Sequence, residues 1–199
     1  MDAPVKLMPR RDPFRILVSA VLSTRTQDPV TAAAAARLFR HARDPRDLAR
    51  LSPARIQTLI FPVGFYRTKA KLLPQLARML VASRDGRVPR TMAELLELPG
   101  VGRKVASIVL SQGYGLPAIA VDTHVQRISN RLDLVRTSRP ADTELKLMEM
   151  LPRHAWKDWN RLLVALGQTT CRPRAPICPA CPLRRLCPKR GVAARREPD

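Results

Sequence analysis

The chain has 199 residues, 45% of them apolar, enough for one solid core or two small ones and too many for wholesale disorder. Thirty-six Lys and Arg against sixteen Asp and Glu leave a formal charge of +20, spread along the chain and not confined to a tail. A field of that sign favours a polyanion, nucleic acid first and an anionic membrane surface second. No run approaches the ~20 apolar residues of a membrane span, and no apolar leader with a small-residue cleavage site opens the chain, so a cytoplasmic, nucleoid-associated location is expected.

Helical periodicity dominates from the start of the pattern. Residues 1–12, with two prolines and several charges, read as an extended lead-in. Residues 14–25 carry Phe14, Ile16, Leu17, Ala20, Val21 and Leu22 on a broad apolar face, and the alanine run 32–36 continues with high helix propensity. Ser52 before Pro53 is a helix start, pairing a capping hydroxyl with a proline whose missing N–H is harmless at the first position. From Tyr66 to about Ser83, Lys and Arg alternate with Leu, Ala and Met at helical spacing until Asp85-Gly86 stops the pattern. Thr91 and Glu94 make a capping box ahead of Leu95, Leu96 and Leu98. Further helices are predicted at 103–112, 123–133, 143–151 and 155–169, giving eight or nine in an all-α chain. The Pro-rich stretch after Cys171 cannot build a long helix, and Ala193–Asp199 reads as a charged tail.

All four cysteines fall in that last region, as C-x6-C-x2-C-x5-C at Cys171, Cys178, Cys181 and Cys187. In a reducing compartment disulfides are not expected, and four thiolates this close suit a tetrahedral zinc or a four-iron, four-sulfur cluster. Only one short C-x2-C pair is present, which favours iron-sulfur and keeps zinc as the alternative. Ligands drawn from one compact segment leave no open coordination position, so the role expected of the group is structural. It would hold the loop Pro182–Leu186 in shape and project Arg184 and Arg185, cations suited to phosphate unless they are simply solvated.

Leu98-Pro99-Gly100-Val101-Gly102-Arg103-Lys104 lies between two predicted helices. Two glycines one residue apart permit a tight turn that exposes backbone N–H groups at the start of the next helix, an anion site. With the preceding Leu-Pro and the basic composition, the segment reads as a helix-hairpin-helix that grips a nucleic-acid strand through its phosphates at Gly100, Gly102 and Arg103. Lys104 is a phosphate contact on that reading, or something more. Eighteen positions later Asp122 precedes Thr123-His124-Val125, where a carboxylate caps a helix or faces a neighbouring lysine.

Taken together, these stretches resemble the endonuclease III family, iron-sulfur DNA glycosylases with AP-lyase activity. The match runs through Asp12-Pro13-Phe14, Leu22-Ser23, Val63-Gly64-Phe65, Lys69-Ala70, Val88-Pro89, Leu95 to Ala106, Val121 to Arg127, Asn130-Arg131-Leu132 and the cysteine pattern, about residues 12–187. The resemblance implies a two-lobed all-α fold, with a helical barrel over 15–116 and a cluster lobe formed by 1–14 and 117–199. It implies a monomer acting on double-stranded DNA that contains damaged pyrimidines or abasic sites. Lys104 is implied as nucleophile and Asp122 as its carboxylate partner. A neutral amine attacking the sugar C1′ displaces the base and leaves a Schiff base that undergoes β-elimination, which water or a carboxylate cannot do.

The extruded nucleotide leaves a gap, and the resemblance places Phe65 there, where leucine is more usual, unless Phe65 packs in the core against Phe61. The second gap-filling position, commonly glutamine, is Arg25, which cannot accept a hydrogen bond; Gln27 is two positions on, the wrong face of a helix. His124 supports the site through hydrogen bonds or merely starts its helix. Bacterial relatives usually begin with an additional helix, and eleven residues ahead of the Asp12 match are too few for it, so a leaner second lobe or an upstream start is expected. A related adenine glycosylase fits less well, since Ala20 occupies its acid position. A mismatch-specific relative, or a DNA-binding protein without catalysis, remains the alternative.

Overall fold

The structure is a computed structural model and describes residues 12–192. The predicted lead-in, apart from Asp12, and the charged tail lie outside those residues. Among the described residues there is no strand, and none of their helices is long and apolar enough to cross a membrane. The chain divides into two compact units, with the boundary between Leu116 and Pro117.

The first unit contains seven helices: α1 Pro13–Ser23, α2 Asp28–Phe39, α3 Pro45–Arg50, α4 Pro53–Ile60, α5 Tyr66–Arg84, α6 Met92–Leu96 and α7 Arg103–Ile108. Their starts are chemically marked. Asp12, Asp44, Ser52 and Thr91 each accept a backbone N–H from the first turn of α1, α3, α4 and α6, removing donors that would otherwise lack partners. Thr91 Oγ1 accepts from Glu94 N at 3.3 Å and donates to the Glu94 carboxylate at 2.6 Å. This hydroxyl bond, reinforced by Arg84, holds the Glu94 carboxyl below the usual carboxylate range. α5 ends as Asp85 and Gly86 both turn left-handed, and their N–H groups return to the Leu80 carbonyl.

α5 is the spine of this unit, packed against α3, α4 and α1, while α1 also meets α2 and α7. Ile16, Leu17, Leu22, Leu38, Ile56, Ile60, Leu73, Leu76, Leu80 and Leu95 are fully buried at these crossings. Three boundaries differ from the sequence expectation. α1 stops at Ser23, so Arg25 lies in a turn at φ 56° instead of on the helix. The helix after the hairpin changes at Val109 into a π-helical turn over Val109–Gly113. Asp12–Phe14, assigned from sequence to the cluster lobe, belong to this unit: Phe14 is buried, edge-on to Phe39 at 6.3 Å.

The second unit contains α8 Thr123–Arg131, α9 Pro140–Met150 and α10 Trp156–Thr169, the last preceded by a single 3-10 turn at Arg153–Ala155. α8 packs on both α9 and α10. Ile119, Val121, Val125, Ile128, Val135, Leu147 and Leu163 form its core, with Trp156 and Trp159 packed against it. Beyond α10 the described residues form turns and one further 3-10 turn, Cys178–Ala180.

Removing buried leucine volume from the spine of the first unit should cost far more than removing a rim leucine. Leu76→Ala is expected to cost ~2–5 kcal/mol and the part-exposed Leu96→Ala under about 1 kcal/mol. Urea denaturation followed by circular dichroism checks the difference; equal losses would show that α5 is not the core element.

Candidate active site

The hairpin is set by its apolar flanks. Leu98 and Val101 are buried, and Gly100 between them adopts φ 76°, a conformation that suits glycine. A Cβ at that position would also stand 3.2 Å from Leu72 Cδ1 on α5. Gly102 is the N-cap of α7 and brings no side-chain cap. Lys104 is therefore in the first turn of α7, half-buried, while Val105, Ala106, Ser107 and Ile108 behind it enter the core. Arg103 is exposed beside it.

A second lysine of this unit is placed more unusually. Lys69, on the first turns of α5, is 5% exposed. Its ammonium donates to the Leu22 carbonyl at 2.8 Å and the Thr24 carbonyl at 2.6 Å, and reaches Thr26 Oγ1 at 3.4 Å. Burial first, and then the charge of Lys104, lower its pKa from 10.5 to about 8. The sequence placed Lys69 only within a matching stretch and gave it no role; its partners are more than forty positions away, so no local pattern reveals them.

Arg25 and Phe65 share one trait: each is a non-glycine residue at φ 56°. Both are exposed, Phe65 by 67%. Phe65 therefore does not pack in the core with Phe61, whose ring meets Tyr66 edge-on at 5.3 Å. The loop ahead of it is held from α2, since Arg37 Nε donates to the Leu59 carbonyl at 2.9 Å and Nη2 to the Phe61 carbonyl.

In the second unit Asp122 is the N-cap of α8. Its Oδ1 accepts from His124 N and Val125 N, both at 2.8 Å. Oδ2 lies 3.5 Å from Asn160 Nδ2, an amide that is anchored by a 2.8 Å bond to the Ala120 carbonyl. One carboxylate oxygen is thus committed to the helix, while the other makes a long contact with Asn160, a residue the sequence reading missed. His124 turns inward over Gly167 of α10, with Nδ1 3.1 Å from Arg127 Nη2. Since arginine only donates, Nδ1 accepts.

The cysteine segment overturns an expectation. Among the described residues no group of three or more His, Cys, Asp or Glu is placed to hold a metal ion, and the four cysteines are free thiols. Neither a four-iron, four-sulfur cluster nor zinc fits this arrangement. Cys171, Cys178, Cys181 and Cys187 do line one small cavity of about 30 Å3 with Arg131 and Ile177, but sharing a wall is a weaker condition than convergence on one point. Two thiols have local partners instead. Arg131 Nη1 donates to Cys171 Sγ at 3.4 Å, and Cys187 Sγ donates to the Arg131 carbonyl at 3.5 Å while accepting from Lys189 N at 3.4 Å.

Hydrogen bonds from basic residues shape the segment. Arg131, 9% exposed, donates to the carbonyls of Arg172 at 2.7 Å and Pro173 at 2.8 Å. Arg127 Nη2 donates to the Cys171 carbonyl at 2.8 Å. Burial, followed by repulsion from Arg131, lowers the Arg127 pKa from its ordinary value. Arg190 pairs with Asp133 at 2.8 Å. Arg184 and Arg185 are exposed in the loop, with Arg184 making one long contact to the Pro179 carbonyl at 3.4 Å.

A family model described as HhH-GPD superfamily base excision DNA repair protein matches residues 18–153. Endonuclease III of Thermotoga maritima is 46% identical over 187 residues, covering 92% of this chain and 88% of that protein. Endonuclease III-like protein 1 of Bos taurus is 42% identical over 178 residues, and the chain spans 58% of its length. A solved structure of an Endonuclease III trapped in a covalent intermediate with DNA superposes with a TM-score of 0.87 at 38% identity, over 94% of this chain and 88% of that one.

Gly167 gives a sign test of the His124 placement. In an ordinary helix interior Gly→Ala stabilises by ~0.5–1 kcal/mol. Here the new Cβ would lie 2.3 Å from His124 Nδ1 and 3.0 Å from Arg127 Nη2. Overpacking of that kind costs ~1–3 kcal/mol, so Gly167→Ala is expected to lower the melting temperature. A raised melting temperature would show that the imidazole swings away freely.

Proposed function

This chain belongs to the endonuclease III family of the HhH-GPD superfamily, and from that membership we propose that Lys104 is the nucleophile of a bifunctional DNA glycosylase and AP lyase acting on double-stranded DNA with oxidised pyrimidines or abasic sites. The observation that carries the assignment is the position of Lys104. It is the one lysine in the first turn behind the hairpin, half-buried on a helix whose next four residues are core. A lysine serving only to neutralise phosphate has no need of that partial burial.

The chemistry follows from a neutral amine. Lys104 Nζ donates its lone pair to C1′ of the extruded sugar as the C1′–N bond breaks, and the departing base takes the electrons of that broken bond and the proton that Nζ sheds. Opening of the sugar ring gives a Schiff base between Nζ and C1′. Loss of the C2′ proton moves its bonding electrons toward the iminium and expels the 3′ phosphate, cutting the strand. Hydrolysis then returns the free amine.

Asp122 supplies the carboxylate. With Oδ1 committed to the α8 N-terminus, Oδ2 is the atom left to shuttle a proton or to stabilise positive charge developing on the sugar. Asn160 holds that oxygen's side of the carboxylate in place.

Hairpin backbone N–H groups, with Arg103, grip phosphates without reading base sequence. Arg184 and Arg185 are exposed cations of the second unit, suited to phosphate in their own right. Arg25 and Phe65 fill the gap left in the duplex, Phe65 by stacking its exposed ring on the bases.

The test uses an end-labelled duplex with one thymine glycol. Lys104→Ala should lower strand cleavage by on the order of 10³-fold, about 4 kcal/mol of transition-state stabilisation, while leaving duplex binding intact. Asp122→Asn keeps the helix cap, because asparagine caps as well as aspartate, so its expected loss of about 10²-fold reports proton transfer. A wild-type protein that binds the damaged duplex tightly but never nicks it contradicts the assignment.

A further inference from the structure

Lys69 has a second feature that its repulsion of Lys104 does not explain: the placement of its hydrogen-bond acceptors. Burying an ammonium is unfavourable unless its donors are satisfied, and a methionine would fill the same space without that cost. The three acceptors are Leu22 O in the last turn of α1, and Thr24 O and Thr26 Oγ1 in the four residues 24–27 that join α1 to α2, and all are neutral. Two of them are carbonyls at the C-terminal end of α1, where a helix leaves its acceptors open and its dipole is negative. Lys69 therefore closes that end from another helix.

The closed segment contains Arg25 at φ 56°, and the helix that carries Lys69 has Phe65 as its N-cap, also at φ 56°. Lys69 N donates to the Phe65 carbonyl at 3.0 Å, so the tether originates one turn from the aromatic residue. The two stretches also touch directly. Gly64 N donates to Thr26 Oγ1 at 3.1 Å, and a Cβ on Gly64 would lie only 2.2 Å from the Arg25 carbonyl oxygen. Two left-handed non-glycine residues persist only where their surroundings over-determine them. The Lys69 ammonium and Thr26 hydroxyl are the groups that tie one to the other.

We propose that Lys69 is a positioning residue that locks Arg25 and Phe65 into one rigid pair, so that the protein prefers duplexes with a missing or extruded nucleotide over intact ones. This rests on the assignment of Arg25 and Phe65 as the residues that enter the duplex. Phosphate contacts bind any duplex, whereas two side chains held at fixed separation gain only where the stack already has a gap. Loss of the tether removes the preference and spares general affinity.

The measurement is equilibrium binding of two duplexes, one intact and one carrying a tetrahydrofuran abasic analogue, which requires no catalysis. Lys69→Met is expected to reduce the preference for the abasic analogue by about tenfold or more, with intact-duplex affinity changed less than about twofold. Lys69→Arg, which keeps a charged donor, should restore most of the preference. Thr26→Val, at a half-buried position, should shift it the same way by a smaller factor, and decides the matter if Lys69→Met does not fold. A wild type with no preference overturns the gap-filling assignment and this proposal with it. A wild-type preference that survives in Lys69→Met or Thr26→Val, or equal loss on both duplexes, overturns this proposal alone.

Discussion

One turn of backbone governs what the first unit can present. Gly100 at φ 76° reverses the chain while Leu98 and Val101 on either side of it go into the core. α7 must then begin at Gly102 with no side chain to cap it. The same turn decides that Lys104 is carried on a helix whose far side is packed against α1 and α6. A residue with a Cβ at 100 would be strained in the left-handed region and crowded by Leu72 at 3.2 Å, so the location of the amine depends on that glycine.

Positive charge has two separate uses in this chain. The formal +20 suggests a surface devoted to a polyanion, yet several cations are internal fasteners. Lys69 closes the end of α1, Arg37 holds the loop after α4, and Arg84 joins α5 to α6 through Glu94 at 2.6 Å. Arg127 and Arg131 hold the cysteine segment by its carbonyls. Arginine suits this work because it stays charged when half-buried and its planar fork reaches two acceptors at once. Arg184 and Arg185, by contrast, are exposed on the surface of the second unit.

Local signals were legible in the sequence and tertiary ones were not. Caps at Ser52, Thr91 and Asp122, and the stop at Asp85-Gly86, involve neighbours within a few positions, so residue type alone revealed them. Six-residue α3 has its Asp44-Pro45 start signal but is too short for periodicity to register. α1 ends two residues before its apolar pattern suggests, because Thr24 leaves the helix and Arg25 turns left-handed. The hairpin and the lysine-to-aspartate spacing drew attention to Lys104 and Asp122. Asn160 beside Asp122, Gly167 beneath His124 and the grip of Lys69 on Leu22 span 38 to 47 positions, and only packing brings them together. The cysteine pattern misled for a related reason: spacing reports nearness along the chain, while a metal requires convergence in space.

The central claim is that one particular amine among many attacks the sugar, and covalent mapping tests it most directly. Borohydride added during reaction with an abasic duplex reduces the Schiff base to a stable amine, and proteolysis with mass spectrometry locates the modified residue. The account predicts a single adduct on Lys104. An adduct on Lys69, or one scattered over surface lysines, would contradict it.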